Sequence, residues 1–178
     1  VEDISLHILD IAENAVRADA KTISILITSD VERDLIRVEV IDDGRGMDAG
    51  TLAEVRDPFF TTKGKKTGLG IPLLSQAAEQ AGGKLTVASA PGKGTKVAAT
   101  FRLGHVDRPE LGNMADTILT LIAGHPELDV VYEAREGDRV FRLDTRELKN
   151  DLEDVPINAP AALDAIRGMF KEQVRFER

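Results

Sequence analysis

Two short stretches early in the chain alternate apolar and polar residues with a period of two. In Thr22-Ile-Ser-Ile-Leu-Ile-Thr28 the residues Ile23, Ile25 and Ile27 share one face, and in Leu35–Ile41 the residues Ile36, Val38 and Val40 do the same. Ser29-Asp30-Val31-Glu32-Arg33 between them is a polar turn, so the pair reads as an antiparallel hairpin with one buried face. Such a face must be covered. The preceding residues 4–18 supply a cover, because Ile4, Ile8, Ile11, Ala12, Ala15 and Val16 fall on one side of a helical projection. A helix followed by a half-buried hairpin commits this part of the chain to a layered α+β arrangement.

The pattern continues. A short helix is expected near 51–56, between loops at 42–50 and 57–70 that are rich in Gly, Asp, Thr and Lys. Residues 71–81 should be helical, with Pro72 in the first turn and Gly82-Gly83 as the stop. Strands at 84–89 and 95–103 follow, separated by Pro91-Gly92-Lys93-Gly94. The first hundred residues thus predict a two-layer α/β sandwich, antiparallel strands with helices on one face. We place a boundary at 104/105. Residues 105–178 are expected to add a small α/β extension: a helix at 112–123, a hairpin around Glu136-Gly137-Asp138, a short helix capped by Thr145 and a last helix from Pro160.

Composition excludes several classes of function. The 178 residues carry 23 basic and 31 acidic groups, a net charge of −8, which disfavours nucleic acid and anionic membrane as partners. The excess acid lies mostly after residue 104. Cysteine is absent, so disulfides and thiolate chemistry are excluded. Aromatic residues are 4% of the chain with no Trp, too few for base-stacking platforms. No apolar run is long enough to span a bilayer, and no basic, signal-like stretch stands at the start, so the expected location is the cytoplasm.

Three constellations could carry chemistry. Ile41-Asp42-Asp43-Gly44-Arg45-Gly46-Met47 puts a carboxylate at a strand end before Gly-x-Gly, where the backbone can approach a flat ligand and the Asp can accept from an exocyclic amine. An ordinary Asp-Gly turn has the same residues, and Gly44, Gly46 and Gly50 have the wrong spacing for a dinucleotide fingerprint. Asp57-Pro-Phe-Phe-Thr-Thr-Lys-Gly-Lys-Lys-Thr-Gly-Leu-Gly70 gathers lysines, threonines and glycines before a helix N-terminus, a setting suited to polyphosphate. It is not a Walker loop, and a solvated loop is the competing reading, although Phe59 and Phe60 would be odd in one. His7, Asp10, Asn14 and Arg17 share a stripe on the first helix; this is either its wet side or, given an Asn in mid-helix, a ligand-binding edge.

Taken in order, Glu13-Asn14-Ala15, Asp42-x-Gly44-x-Gly46, Pro58-Phe-Phe-Thr-Thr-Lys63, Thr67-Gly-Leu-Gly70 and Gly92-x-Gly94-Thr95 resemble the N, G1, F, G2 and G3 boxes of the GHKL superfamily of gyrase B, Hsp90, histidine kinases and MutL. The resemblance covers residues 4–103 and is nearest to the histidine-kinase branch. It implies the Bergerat ATP-binding fold, with ATP and Mg2+ as cofactors. It implies that Asn14 ligates Mg2+, Arg17 contacts phosphate, and Asp42 accepts from the adenine amine in a pocket shaped by Gly44, Gly46 and Met47. Phe60, Thr61, Thr62, Lys63, Lys66, Thr67, Gly68, Leu69 and Gly70 would belong to the ATP lid, with Lys65 adding charge, and Thr95 would support Asp42.

Two departures bear on activity. The only histidines are His7, His105 and His125, and none sits in a phosphoacceptor-like helical hairpin. The position four before Asn14 is Asp10, where hydrolytic relatives of this superfamily carry a water-activating Glu and kinases a polar non-base; Asp10 is the candidate general base. The expected activity is therefore phosphoryl transfer to a separate protein. Slow ATP hydrolysis gating a conformational switch, or nucleotide binding without turnover, are the alternatives. Residues 105–178 read equally as a packing appendage or as a surface for a protein partner or a second copy of the chain.

Overall fold

The computed structural model describes residues 2–56 and 70–173. In chain order the elements are α1 (Ile4–Arg17), β1 (Thr22–Asp30), β2 (Leu35–Asp42), α2 (Ala49–Arg56), α3 (Gly70–Gln80), β3 (Lys84–Ser89), β4 (Thr95–Arg102), α4 (Met114–Gly124), β5 (Asp129–Glu136), β6 (Arg139–Asp144), α5 (Thr145–Leu152) and α6 (Pro160–Gln173). The six strands form one sheet in the order β3-β4-β2-β1-β5-β6. β1 and β2 pair antiparallel with Ile25 opposite Val40 and Ile23 opposite Asp42. All the other pairings are antiparallel too, except that β5 runs parallel to β1, Thr22 facing Asp129.

Helices cover one face. The buried stripe of α1 (Ile4, Ile8, Ile11, Ala12 and Ala15) packs into a core with Ile23, Ile25 and Ile27 of β1 and Ile36, Val38 and Val40 of β2. α3 lies to one side of α1, and α4, followed by α6, lies to the other. The side chains of the opposite face are more open to solvent and carry a charge network in which Glu39 takes Arg37 at 3.0 Å and Lys96 at 2.9 Å. This is the two-layer α/β sandwich that the alternation and helical periodicity predict.

The C-terminal segment is not laid over the sandwich. It lengthens both layers edgewise, β5 and β6 continuing the sheet beyond β1 while α4 and α6 continue the helical layer. The Thr117 hydroxyl donates to the Ser5 carbonyl at 3.2 Å in the buried seam between α4 and α1. Tyr132, Phe141 and Phe170 form an aromatic cluster beneath α6, with ring centroids 5.3–6.1 Å apart.

Most local signals act where the sequence places them. α3 stops where Gly82, at φ +74°, allows the Gly83 N–H to return to the Ala78 carbonyl at 2.8 Å. One cap is corrected: α5 is capped by Asp144, whose side chain accepts from the Arg146 N–H, and not by Thr145. Thr145 is fully buried and its hydroxyl instead accepts from the Val130 N–H at 2.8 Å, tying α5 to β5. Both residue types cap well, so the sequence alone favours neither. Asp144 also takes Arg146 at 2.8 Å and Arg142 at 3.2 Å. Hydrogen bonds from Arg146, ahead of the charge of Arg142, hold its carboxyl below the ordinary value.

A depressed carboxyl stabilises the fold above the ordinary carboxylate range and loses that contribution as pH falls through the depressed value. Asp144→Ala is expected to cost about 1–2 kcal/mol at neutral pH through the lost cap. Urea unfolding of the two proteins should differ at pH 7 and converge as the solution is taken well below pH ~4.

Candidate functional site

At one end of the sheet three backbone turns meet. The chain leaves β2 at Asp42 and enters Asp43-Gly44-Arg45-Gly46-Met47, wedged between the α1–β1 turn and the β3–β4 turn. The Arg45 N–H donates to the Ala18 carbonyl at 2.9 Å, and the Gly92 N–H donates to the Arg45 carbonyl at 2.7 Å. Asp43 accepts from the N–H groups of Lys21 and Thr22 at 2.8 and 2.9 Å, so it ties down the start of β1. The Met47 N–H donates to the Ser89 hydroxyl at 2.9 Å, which also lies 2.9 Å from the Thr95 hydroxyl and donates to the Gly94 carbonyl.

Glycine is required here for close approach. A Cβ on Gly46 (φ +69°) would overlap the Ala90 carbonyl, and one on Gly94 (φ +71°) would overlap the Asp42 carbonyl. At Gly44 it would stand 2.8 Å from the Ala18 carbonyl oxygen. The Asp-Gly loop is therefore a fixed cradle rather than a plain turn.

Asp42 occupies that cradle half-buried. Its Oδ1 accepts from the Gly44 N–H at 2.8 Å, and no cation pairs with it among the described residues. Burial, the largest effect, raises its carboxyl above the ordinary value, and the charge of Asp43 adds to the rise against the N–H groups of Gly44 and Thr95. Thr95 stands opposite Asp42 in the β2–β4 ladder.

The second wall is the last two turns of α1. Asp10 and Asn14 are one turn apart on it, as the stripe predicts. The Asn14 Oδ1 accepts from Arg17 Nη1 at 2.7 Å. Asp10 is exposed and makes no ion pair or hydrogen bond among the described residues. Gly70, the first residue of α3, packs so closely that a Cβ there would stand 2.9 Å from Cβ of Asp10, bringing the N-terminus of α3 to this stripe. His7, on the same stripe, is 5% exposed; its Nδ1 lies 3.9 Å from Glu2 and has no hydrogen bond among the described residues.

Phe60, Thr61, Thr62, Lys63, Lys66, Thr67, Gly68 and Leu69, with Lys65, lie outside the described residues. Sequence reasoning missed Ser89, Asp43, Ala18 and Ala90, which hold the cradle. Their roles arise from backbone turns meeting across the sheet end, and only the Asp-Asp-Gly doublet carried any local trace of them. It also missed His125, at the end of α4, whose Nε2 stands 3.1 Å from Glu13, the neighbour of Asn14. No group of three His, Asp or Glu that could hold a metal ion occurs among the described residues.

Residues 2–105 match the profile of the histidine kinase-, DNA gyrase B-, and HSP90-like ATPase family. The chain belongs to this family. Similar curated proteins include the sensor histidine kinase ZraS of Escherichia coli O157:H7, 35% identical over 89 residues, half of this chain and 19% of that protein. Sporulation kinase A of Bacillus subtilis (strain 168) is 36% identical over 95 residues, 52% of this chain and 15% of that kinase. The chain thus spans about a fifth or less of these relatives. Among solved structures, the N-terminal domain of a DNA repair protein matches with a TM-score of 0.55 at 14% identity, covering 81% of this chain and 53% of that one, which speaks for the fold. Residues 2–105 are a histidine-kinase-like ATP-binding domain of the GHKL type. None of the described helices is long and apolar enough to cross a membrane.

The cradle sets two expected outcomes. Gly46→Ala and Gly94→Ala should each destabilise the chain by about 1–3 kcal/mol or more in urea unfolding, since both force a left-handed backbone onto alanine and an overlap with a carbonyl. Asp42→Asn should behave oppositely. A carboxyl raised in the folded state favours folding at low pH and loses that contribution as pH rises through the raised value. The ligand-free Asp42→Asn variant should therefore melt at or above the wild-type temperature at pH 7, with the advantage vanishing as pH falls below ~4.

Proposed function

We propose that the chain binds ATP with Mg2+ at the Asp42–Asn14 end of the sheet and transfers the γ-phosphoryl group to a side chain of a separate protein. The observation that carries the reading is Asp42 itself: a half-buried carboxylate with no cation partner among the described residues, held by the Gly44 N–H in a cradle whose turns three glycines let approach closely. Such a group is costly to the free protein and matches an exocyclic amine donor. Gly44, Gly46 and Met47 would line the adenine, with Thr95 supporting Asp42.

The Asn14 carboxamide suits Mg2+, a hard cation that takes a neutral oxygen and keeps its waters. Bound there, Mg2+ would neutralise phosphate charge. Arg17 now donates to the same Asn14 oxygen, and turning from it to phosphate would free that oxygen for the metal. The N–H groups that open α3 at Gly70 suit phosphate oxygens, with Phe60–Leu69 as the lid. Transfer would then depend on positioning and charge more than on covalent chemistry by the protein. Residues 105–178, with ten basic against sixteen acidic groups, would offer the partner surface.

A second reading rests on Asp10. This carboxylate is exposed, uncommitted among the described residues and one turn from Asn14, as a general base acting on water would need to be. In that case the chain would be a slow ATPase and a nucleotide-gated switch.

Asp42→Asn is expected to weaken ATP binding by about one to two orders of magnitude in calorimetry, although the fold is retained. Incubation with γ-labelled ATP and candidate partner proteins separates the readings. Label on a partner, lost in Asn14→Ala, supports transfer; free phosphate, lost in Asp10→Asn, supports hydrolysis; unchanged binding in Asp42→Asn would remove the assignment altogether.

A further inference from the structure

The far end of the sheet, away from the Asp42 cradle, carries a cavity. Residues 103–112 leave β4 and cross this end as a strap before α4 begins. Between the strap and the sheet lies an open cavity of about 680 Å3. Its floor is the edge of the core, where Ile27, Ile36 and Ala134 are each at most 5% exposed, with Leu103 and Leu111 added from the strap. Val31, at the β1–β2 turn, adds an apolar side chain to the rim and is left 65% exposed.

One charged group lines this cavity half-buried and without a counter-charge. The Arg108 guanidinium donates from Nε to the Leu103 carbonyl at 2.7 Å and from Nη1 to the Pro109 carbonyl at 3.2 Å. It forms no ion pair among the described residues, although a guanidinium has five N–H donors and a full charge. The neighbouring charges are placed differently. Arg135 is paired with Glu133 at 3.1 Å, and Glu136 with Arg139 at 3.0 Å. Glu110 is exposed, with its backbone carbonyl engaged by the first N–H of α1. Two carboxylates at the rim oppose a multiply charged anion such as a nucleotide or phosphate, while a single carboxylate reaching Arg108 would supply the missing partner.

The strap is itself a defined structure. Its Glu110 and Leu111 carbonyls accept from the Ile4 and Ser5 N–H groups at 3.0 and 2.8 Å. Gly112, at φ +84°, lies where a Cβ would overlap the Asp3 carboxylate and the Ser5 hydroxyl. The cavity therefore has a fixed roof, an apolar floor and one pinned cation, the usual makeup of a small-ligand site.

We infer that this cavity is a second ligand site, selecting a small organic monocarboxylate whose aliphatic body rests on Ile27, Ile36 and Ala134 while its carboxylate pairs with Arg108. The inference stands apart from the nucleotide reading, because the two sites lie at opposite ends of α1 and share no residue.

Titration of the full chain with octanoate at pH 7, followed by NMR, tests it. Backbone resonances of Ser29, Gly112 and Ala134 should shift on saturation, and those of Gly44 and Gly46 should not. Octanamide, equal in shape but uncharged, should bind at least about tenfold more weakly, as should octanoate to Arg108→Gln. Glu110→Gln should bind octanoate as tightly as wild type or more so, and inorganic phosphate should leave the same resonances unmoved. Equal binding of octanoate and octanamide, a response to phosphate, or shifts confined to the Asp42 end would each overturn the proposal. The octanamide comparison needs only the wild-type chain, so it holds even if Arg108→Gln loosens the strap.

Discussion

α1 lies across the middle of the sheet, its Ile4, Ile8, Ile11 and Ala15 pressed onto Ile23, Ile25 and Ile27. Side chains of this size each contribute about 1.5–3 kcal/mol when fully buried, so the helix has one stable rotation about its axis. That rotation decides much else. With the apolar stripe facing down, Asp10 and Asn14 face sideways toward α3, and Glu13 is turned to meet His125 of α4. The same helix spans the molecule, with the strap bonded to its first turn and the glycine cradle bonded to its last.

The cradle shows how backbone and side-chain chemistry divide the labour. Gly44, Gly46 and Gly94 contribute no side chain; their role is to let three turns approach until carbonyls occupy the space of a Cβ. Asp42 is set into that framework, its Oδ1 accepting from the Gly44 N–H. It is held partly out of water and beside Asp43, an arrangement unfavourable to a carboxylate in the empty protein. A binding group that costs the free fold something is a common mark of a site shaped for a ligand.

The C-terminal segment changes the meaning of the family match. The matched residues end at 105, yet β5 pairs with β1 from Thr22 to Ser29 and α4 packs along α1, so the core of the matched part is completed by the C-terminal residues. The extension also reaches the site directly through His125 and Glu13, and through the Asp129 N–H donating to the Lys21 carbonyl beside Asp43. The extension thus touches the same helix that carries Asn14 and the same turn that Asp43 ties down.

Residues alone disclose whatever is periodic or local. Alternation at Ile23, Ile25 and Ile27 defined a strand and its buried face, the spacing from Ile4 to Ala15 defined the helix above it, and Gly82-Gly83 ended α3. Five short motifs in order, from Glu13-Asn14-Ala15 to Gly92-x-Gly94-Thr95, carried the family resemblance, because each is local in the chain. Three things were decided only by tertiary structure. β5 joins β1 in parallel, a pairing between segments about a hundred residues apart that leaves no local signature, since any free edge with matching length and apolar face could have received it. The choice of Asp144 over Thr145 as cap depended on Val130 needing the threonine hydroxyl. That Arg108 has no counter-charge among the described residues follows from where the strap crosses the sheet, and a charge becomes costly only when the fold has removed its water.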